Sequence, residues 1–98
     1  MAGMTDLSTL VLAGELDVAA AQDLRERLDQ RIASAPAATI VVDLEDVTFL
    51  DSVILGVLVG AVHRARDVGG DLELVGVRPS VRRVFSITGV DGVITIHD

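Results

Sequence analysis

The chain has 98 residues, 50% of them hydrophobic, with 15 acidic side chains against 8 basic ones and a formal net charge of -7. A chain of this length has room for one core, so a single domain over residues 1–98 is expected, with little space for a deep substrate pocket. The acidic balance argues against nucleic acid, whose phosphates need a basic face to displace their counterions, and equally against anionic membrane surfaces.

The kinds of residue that are missing narrow the chemistry further. All eight basic residues are arginines (25, 27, 31, 64, 66, 78, 82 and 83), so there is no lysine. That excludes a Walker A loop, a Schiff-base lysine and the lysine that a receiver-type phosphoacceptor domain keeps beside its aspartate. Without cysteine there is no disulfide, thiolate nucleophile or cysteine-rich zinc site. His63 and His97 stand too far apart to suggest a ligand pair, so neither a metal nor a cofactor is expected. The start, MAGMTDLSTL, has no basic region and no long apolar run of the kind a signal peptide needs. The longest apolar stretch, Val53 to Val62, is about half of the ~20 residues of a membrane span. A soluble, cytoplasmic binding module is the expectation, and not an enzyme.

Taken in chain order, residues 7–13 (LSTLVLA) predict a first strand that stops at Gly14. Gly14-Glu15-Leu16-Asp17 then reads as a turn, with Asp17 placed to cap a helix that begins at Val18. Leu24, Leu28 and Ile32 recur every four residues among charged neighbours, which gives that helix one apolar stripe. It should end between Ala33 and Pro36. Thr39 to Leu44 is almost wholly apolar, as expected of a parallel strand covered on both faces, and Asp43-Leu44-Glu45-Asp46 reads as its acidic end. A second helix is predicted from Val53 to about Val68, capped by Asp51 or Ser52 and stopped at Gly69-Gly70. Asp71 to Val75 forms a third strand, Pro79 to about Thr88 a short helix with proline in its first turn, and Val93 to Ile96 a last strand. The order β, α, β, α, β, α, β with short connections implies a small α/β domain. Its sheet should be mostly parallel, of about four to five strands joined by crossover helices.

Four segments carry a resemblance: GELD at 14–17, VVDLEDVTFLDS at 41–52, LGVLVGAVHRARDVGGDLELVG at 55–76 and PSVRRVFSITGVDGVI at 79–94. Together they resemble the STAS domain family, and more narrowly the bacterial anti-sigma factor antagonists, from about Leu7 onward. The resemblance implies a protein that captures an anti-sigma factor, itself an ATP-binding kinase, and so frees a sigma factor for transcription. Phosphorylation of a hydroxyl at the start of the second helix breaks such a complex. The family motif is Asp-Ser-(Ser or Thr)-Gly-Leu-Gly, with its third residue as acceptor. Here the stretch reads Asp51-Ser52-Val53-Ile54-Leu55-Gly56, so the acceptor place holds a valine and Ser52 is the one hydroxyl left.

Two readings of Ser52 stay open, a helix cap and a phosphoacceptor. Asp17, Asp51, Ser52, Val53 and Ile54 are the candidate partner-binding residues, with Val53 and Ile54 either an exposed apolar knob or packed beneath the 14–17 turn. Asp17, Glu45, Asp46 and Asp51 should gather at one sheet edge if the loops after the strands collect there. Arg78, Arg82 and Arg83 either steer an acidic partner or serve as solubilising charge, His63 belongs on the wet flank of the second helix, and Phe49 and Phe85 are expected in the core. The chain is expected to be a monomer or weak homodimer. The alternatives are an unphosphorylatable STAS scaffold and a small-ligand-sensing or transport-accessory STAS domain.

Overall fold

The computed structural model describes residues 9–97. The elements run β1 (Thr9–Leu16), α1 (Val18–Ser34), β2 (Thr39–Leu50), α2 (Ser52–Asp67), β3 (Asp71–Val75), α3 (Pro79–Thr88), a 3-10 turn (Val90–Gly92) and β4 (Thr95–Ile96). The four strands form one sheet in the order β1-β2-β3-β4, and every neighbouring pair is parallel. Right-handed crossovers between successive strands in an unreversed order put all the connecting helices on the same face.

Burial agrees with that placement. Leu10 and Leu12 of β1, Ile40, Val42 and Leu44 of β2, and Leu72 and Leu74 of β3 alternate along their strands. They join Leu24 and Leu28 of α1, Leu55, Leu58 and Val62 of α2, and Val81 and Phe85 of α3 in one apolar cluster. Val11, on the opposite face, is exposed, and Val41, Asp43 and Glu73 there are half-buried. The expectation that 39–44 is covered on both faces is therefore corrected: among the described residues the helices cover one face only.

The helices begin and end for legible reasons. Asp17 caps α1, accepting from the Ala19 amide at 3.0 Å. Proline opens α3, and Gly89, at φ 79°, ends it in the left-handed region that favours glycine. Gly69 does the same after α2 at φ 85°.

The strands depart further from expectation. Gly14 does not end β1, which runs on to Leu16, so 14–17 is not a free turn. Gly14 holds φ 84° within the strand, and the β1–β2 register shifts on both sides of it, between Val11 and Ala13 and between Gly14 and Glu15. Each shift gives β2 one extra residue, a bulge that bends and twists the pair. β2 accordingly continues through Asp43-Leu44-Glu45-Asp46 to Leu50. β3 pairs with it only as far as Asp43, so the last part of β2 is held by β1 alone. The predicted last strand shrinks to Thr95–Ile96, because Val90–Gly92 forms a 3-10 turn. Leu7 and Ser8, included in the expected first strand, lie outside the described residues.

Candidate functional site

The candidate residues meet where β1 and β2 end together. Leu16 and Leu50 are register partners, and both are buried. One residue further along each strand comes a helix cap, Asp17 for α1 and Asp51 for α2. The Asp51 amide donates to the Leu16 carbonyl at 3.2 Å, which ties the two chain ends together.

Asp51 settles how α2 starts. Its Oδ1 accepts from the amides of both Val53 and Ile54, each at 3.1 Å. Two of the orphan amides of the first turn are thereby satisfied by one charged group. Ser52 is the first residue inside the helix and is exposed. The cap reading of Ser52 is thus corrected, since the aspartate before it takes that work and the serine hydroxyl has no hydrogen bond among the described residues.

The pair that follows splits. Val53 is 43% exposed, whereas Ile54 is 0% exposed and belongs to the core. Successive helical residues turn by about 100°, so two neighbours cannot both face outward at the edge of a packed helix. Ile54 is therefore withdrawn from the partner surface, and the expected knob reduces to Val53.

Of the four acidic residues expected to gather, only Asp17 and Asp51 are neighbours at the strand ends. Asp46 pairs with Ala13, and Glu45 is held on the other side, where its carbonyl accepts from Arg78 Nε at 2.7 Å. At ~3.3 Å per strand residue both lie roughly 16–20 Å back from Asp51. Arg78 thus fastens the start of α3 to β2, while Arg83 and His63 are exposed and Arg82 is half-buried.

Phe85 is buried, but Phe49 is 49% exposed, against the expectation of a core position. The bulges explain it. After Leu44 the buried positions of β2 come every third residue, Leu44, Val47 and Leu50, instead of every second, and Phe49 falls between them. That three-residue spacing of apolar residues was a visible signal in the sequence. Val18, the first residue of α1, is also exposed at this end and was not singled out from the sequence.

The capping carboxylates of Asp17 and Asp51 are engaged with backbone amides, and no group of three or more His, Cys, Asp or Glu that could hold a metal ion occurs among the described residues. No helix there is long and apolar enough to cross a membrane.

The STAS domain model matches residues 3–98. The anti-sigma-B factor antagonist of Bacillus subtilis is 38% identical over 85 residues, which is 87% of this chain and 76% of that protein. Among solved structures, an anti-sigma factor antagonist from Mycobacterium paratuberculosis superposes with a TM-score of 0.79 at 29% identity, covering 91% of this chain and 74% of that one. The anti-sigma factor antagonist SpoIIAA, solved in an unphosphorylated form, has a TM-score of 0.72 at 28% identity, covering 97% and 84%. SpoIIAA has also been solved in a phosphorylated form, with a TM-score of 0.70. The chain belongs to the STAS domain family, and the relatives named here are anti-sigma factor antagonists.

Proposed function

We propose that this chain is itself an anti-sigma factor antagonist, a cytoplasmic binding protein with no catalysis of its own, acting as a monomer or weak homodimer. Its partner is an anti-sigma factor with an ATP-binding kinase fold, docked on the end of the sheet through Asp17, Asp51, Ser52 and Val53. Capture of that partner releases a sigma factor and so regulates transcription. Relatives named anti-sigma factor antagonists, one of them solved with this fold, support this reading.

Ser52 is the proposed phosphoacceptor. The observation that carries it is the division of labour at the start of α2, where Asp51 caps the helix and the neighbouring hydroxyl is exposed and unengaged. A kinase would not have to pull that hydroxyl away from backbone amides. A phosphate brings roughly -1.5 to -2 charges and three acceptor oxygens. Next to a helix N-terminus it is tolerated within the fold, with a favourable dipole effect of about 0.3–1 kcal/mol at an exposed end. The switch therefore acts on the docked partner and leaves the domain folded.

A second reading has its own observation: Val53, exposed at the family's acceptor position, has no hydroxyl. In that case the docking surface persists and the chain binds constitutively or scaffolds other STAS proteins. Intact-mass analysis after incubation with ATP and candidate anti-sigma kinases separates the two. One added phosphate on the wild type that disappears in Ser52→Ala supports the switch at Ser52, and no phosphate on the wild type defeats it.

A further inference from the structure

Large hydrophobic side chains are exposed at six places among the described residues: Val11, Val18, Phe49, Val53, Val68 and Ile87. Three of them, Val18, Phe49 and Val53, lie within three residues of the single rung where Leu16 pairs with Leu50. The other three are dispersed over the open sheet face, the end of α2 and α3. Scattered apolar residues need no explanation, but a concentration at one end of a fold marks a contact surface.

Nothing among the described residues requires this arrangement. The bulges about Gly14 turn Phe49 outward, although as one of two aromatic residues in the chain it would contribute more as core. Gly56, one turn beyond Ser52 on α2, is also unexplained from within. It is exposed, and a Cβ added there would meet no atom within 4 Å. Glycine in a helix interior is costly relative to alanine, so its presence at the same end fits close approach by another molecule.

The charged residues that flank this end along the chain have one sign. Glu15, Asp17 and Asp51 flank it, with Asp46 further down the β1–β2 ribbon, and no arginine or lysine occurs in residues 9–24 or 32–63. The surface is apolar within an acidic border.

We propose that Phe49, Val18 and Val53 are the apolar contact points of the docking edge, fitting a cleft on a protein partner that is apolar at its centre and basic at its rim. The inference rests on the anti-sigma reading and adds what holds the complex together. Apolar contacts at the centre set its lifetime, while the acidic border steers association. A phosphate on Ser52, placed among these side chains, opposes the complex chiefly through its own desolvation on entering an apolar cleft.

The test is calorimetric titration of the chain with the kinase-type anti-sigma factors of its own genome, alongside thermal melts. Phe49→Ser and Val18→Ser should each weaken binding by about tenfold or more, as central contacts do, with melting little changed. Val11→Ser and Ile87→Ser, equally exposed elsewhere, should bind as the wild type does. Gly56→Ala should melt higher yet bind more weakly. The double change Glu15→Gln with Asp46→Asn should flatten the dependence of affinity on salt without abolishing binding. Wild-type affinity in both Phe49→Ser and Val18→Ser, with Ser52→Asp still weakening the complex, would overturn this inference and leave the anti-sigma reading standing. A wild-type chain that binds none of these factors would sink both.

Discussion

Replacing Asp51 with alanine removes the side chain that satisfies the first turn of α2. Both amide bonds to Oδ1 are lost, at Val53 and Ile54, and the second of these amides belongs to a residue that is fully buried. Loss of a capping residue costs about 1 kcal/mol and up to about 2 in proteins. Here a double acceptor and a favourable interaction with the helix dipole are lost together, so the upper part of that range, about 1.5–2 kcal/mol, is expected. For a domain near one hundred residues each kcal/mol shifts the melting temperature by roughly 4–8 °C, giving a fall of about 6–16 °C. Ser52→Ala, which removes a hydroxyl with no partner, should stay within about 0.5 kcal/mol of the wild type. Asp51→Asn retains the acceptor oxygen and loses only the charge, so it should fall between them, about 0.3–1 kcal/mol below the wild type. Urea unfolding followed by far-ultraviolet circular dichroism measures all three. If Ser52→Ala proves more costly than Asp51→Ala, the serine is the cap after all, and the case for a free hydroxyl collapses with it.

The two phenylalanines should behave oppositely in the same assay: Phe85→Ala, fully buried, should lose about 3–5 kcal/mol, and Phe49→Ala less than about 1 kcal/mol. Two glycines make a similar pair. A Cβ at Gly70 would stand 2.3 Å from the Ala38 carbonyl oxygen, which already accepts from the Asp71 amide, so Gly70→Ala should cost at least about 1–3 kcal/mol as an overpacked site. Gly56→Ala meets open space and should stabilise the isolated chain by about 0.5–1 kcal/mol.

The helices were legible because their signals are local. Leu24 and Leu28 repeat at helical spacing and both prove buried. Asp17 caps where a short acceptor before an apolar stripe should, and Pro79 and Gly89 bracket α3 by their own backbone preferences. The strand ends were not legible, because they depend on a partner. Asp43-Leu44-Glu45-Asp46 reads as the acidic end of a strand until β1 is placed beside it. Pairing through Ala13 and Gly14 then keeps the backbone extended, and the bulges let Glu45 and Asp46 face solvent while Leu44 and Val47 remain inside. The same non-local pairing undid the expectation for Phe49, while Ile54 was turned inward by the packing of α2. A period of two fails once extra residues enter the ladder; the three-residue spacing of Leu44, Val47 and Leu50 stands in the sequence, but it takes its meaning only from the bulges. At the site, the motif named the candidates, but only the geometry showed that Asp51 and not Ser52 makes the cap.

That geometry bears on how a kinase would meet this chain. Ser52 and Val53 are the first two residues of one helix, so their side chains point about 100° apart and their Cα atoms differ by about 1.5 Å along the axis. A kinase whose active site receives a hydroxyl from the position of Val53 would find Ser52 turned well away from it, beyond the reach that in-line phosphoryl transfer allows. Two kinds of partner can therefore be told apart by what they modify. One has shifted its grip on the helix by a residue and phosphorylates the wild type but not Ser52→Ala. The other grips the helix as the family motif implies, leaves the wild type untouched and phosphorylates Val53→Ser. With the second partner the valine acts as a lock, because the docking surface is intact while transfer has no acceptor, and the complex persists in the presence of ATP. Phosphate appearing at both positions in the Val53→Ser chain would refute this reasoning, since it would require a site tolerant of a 100° difference in approach.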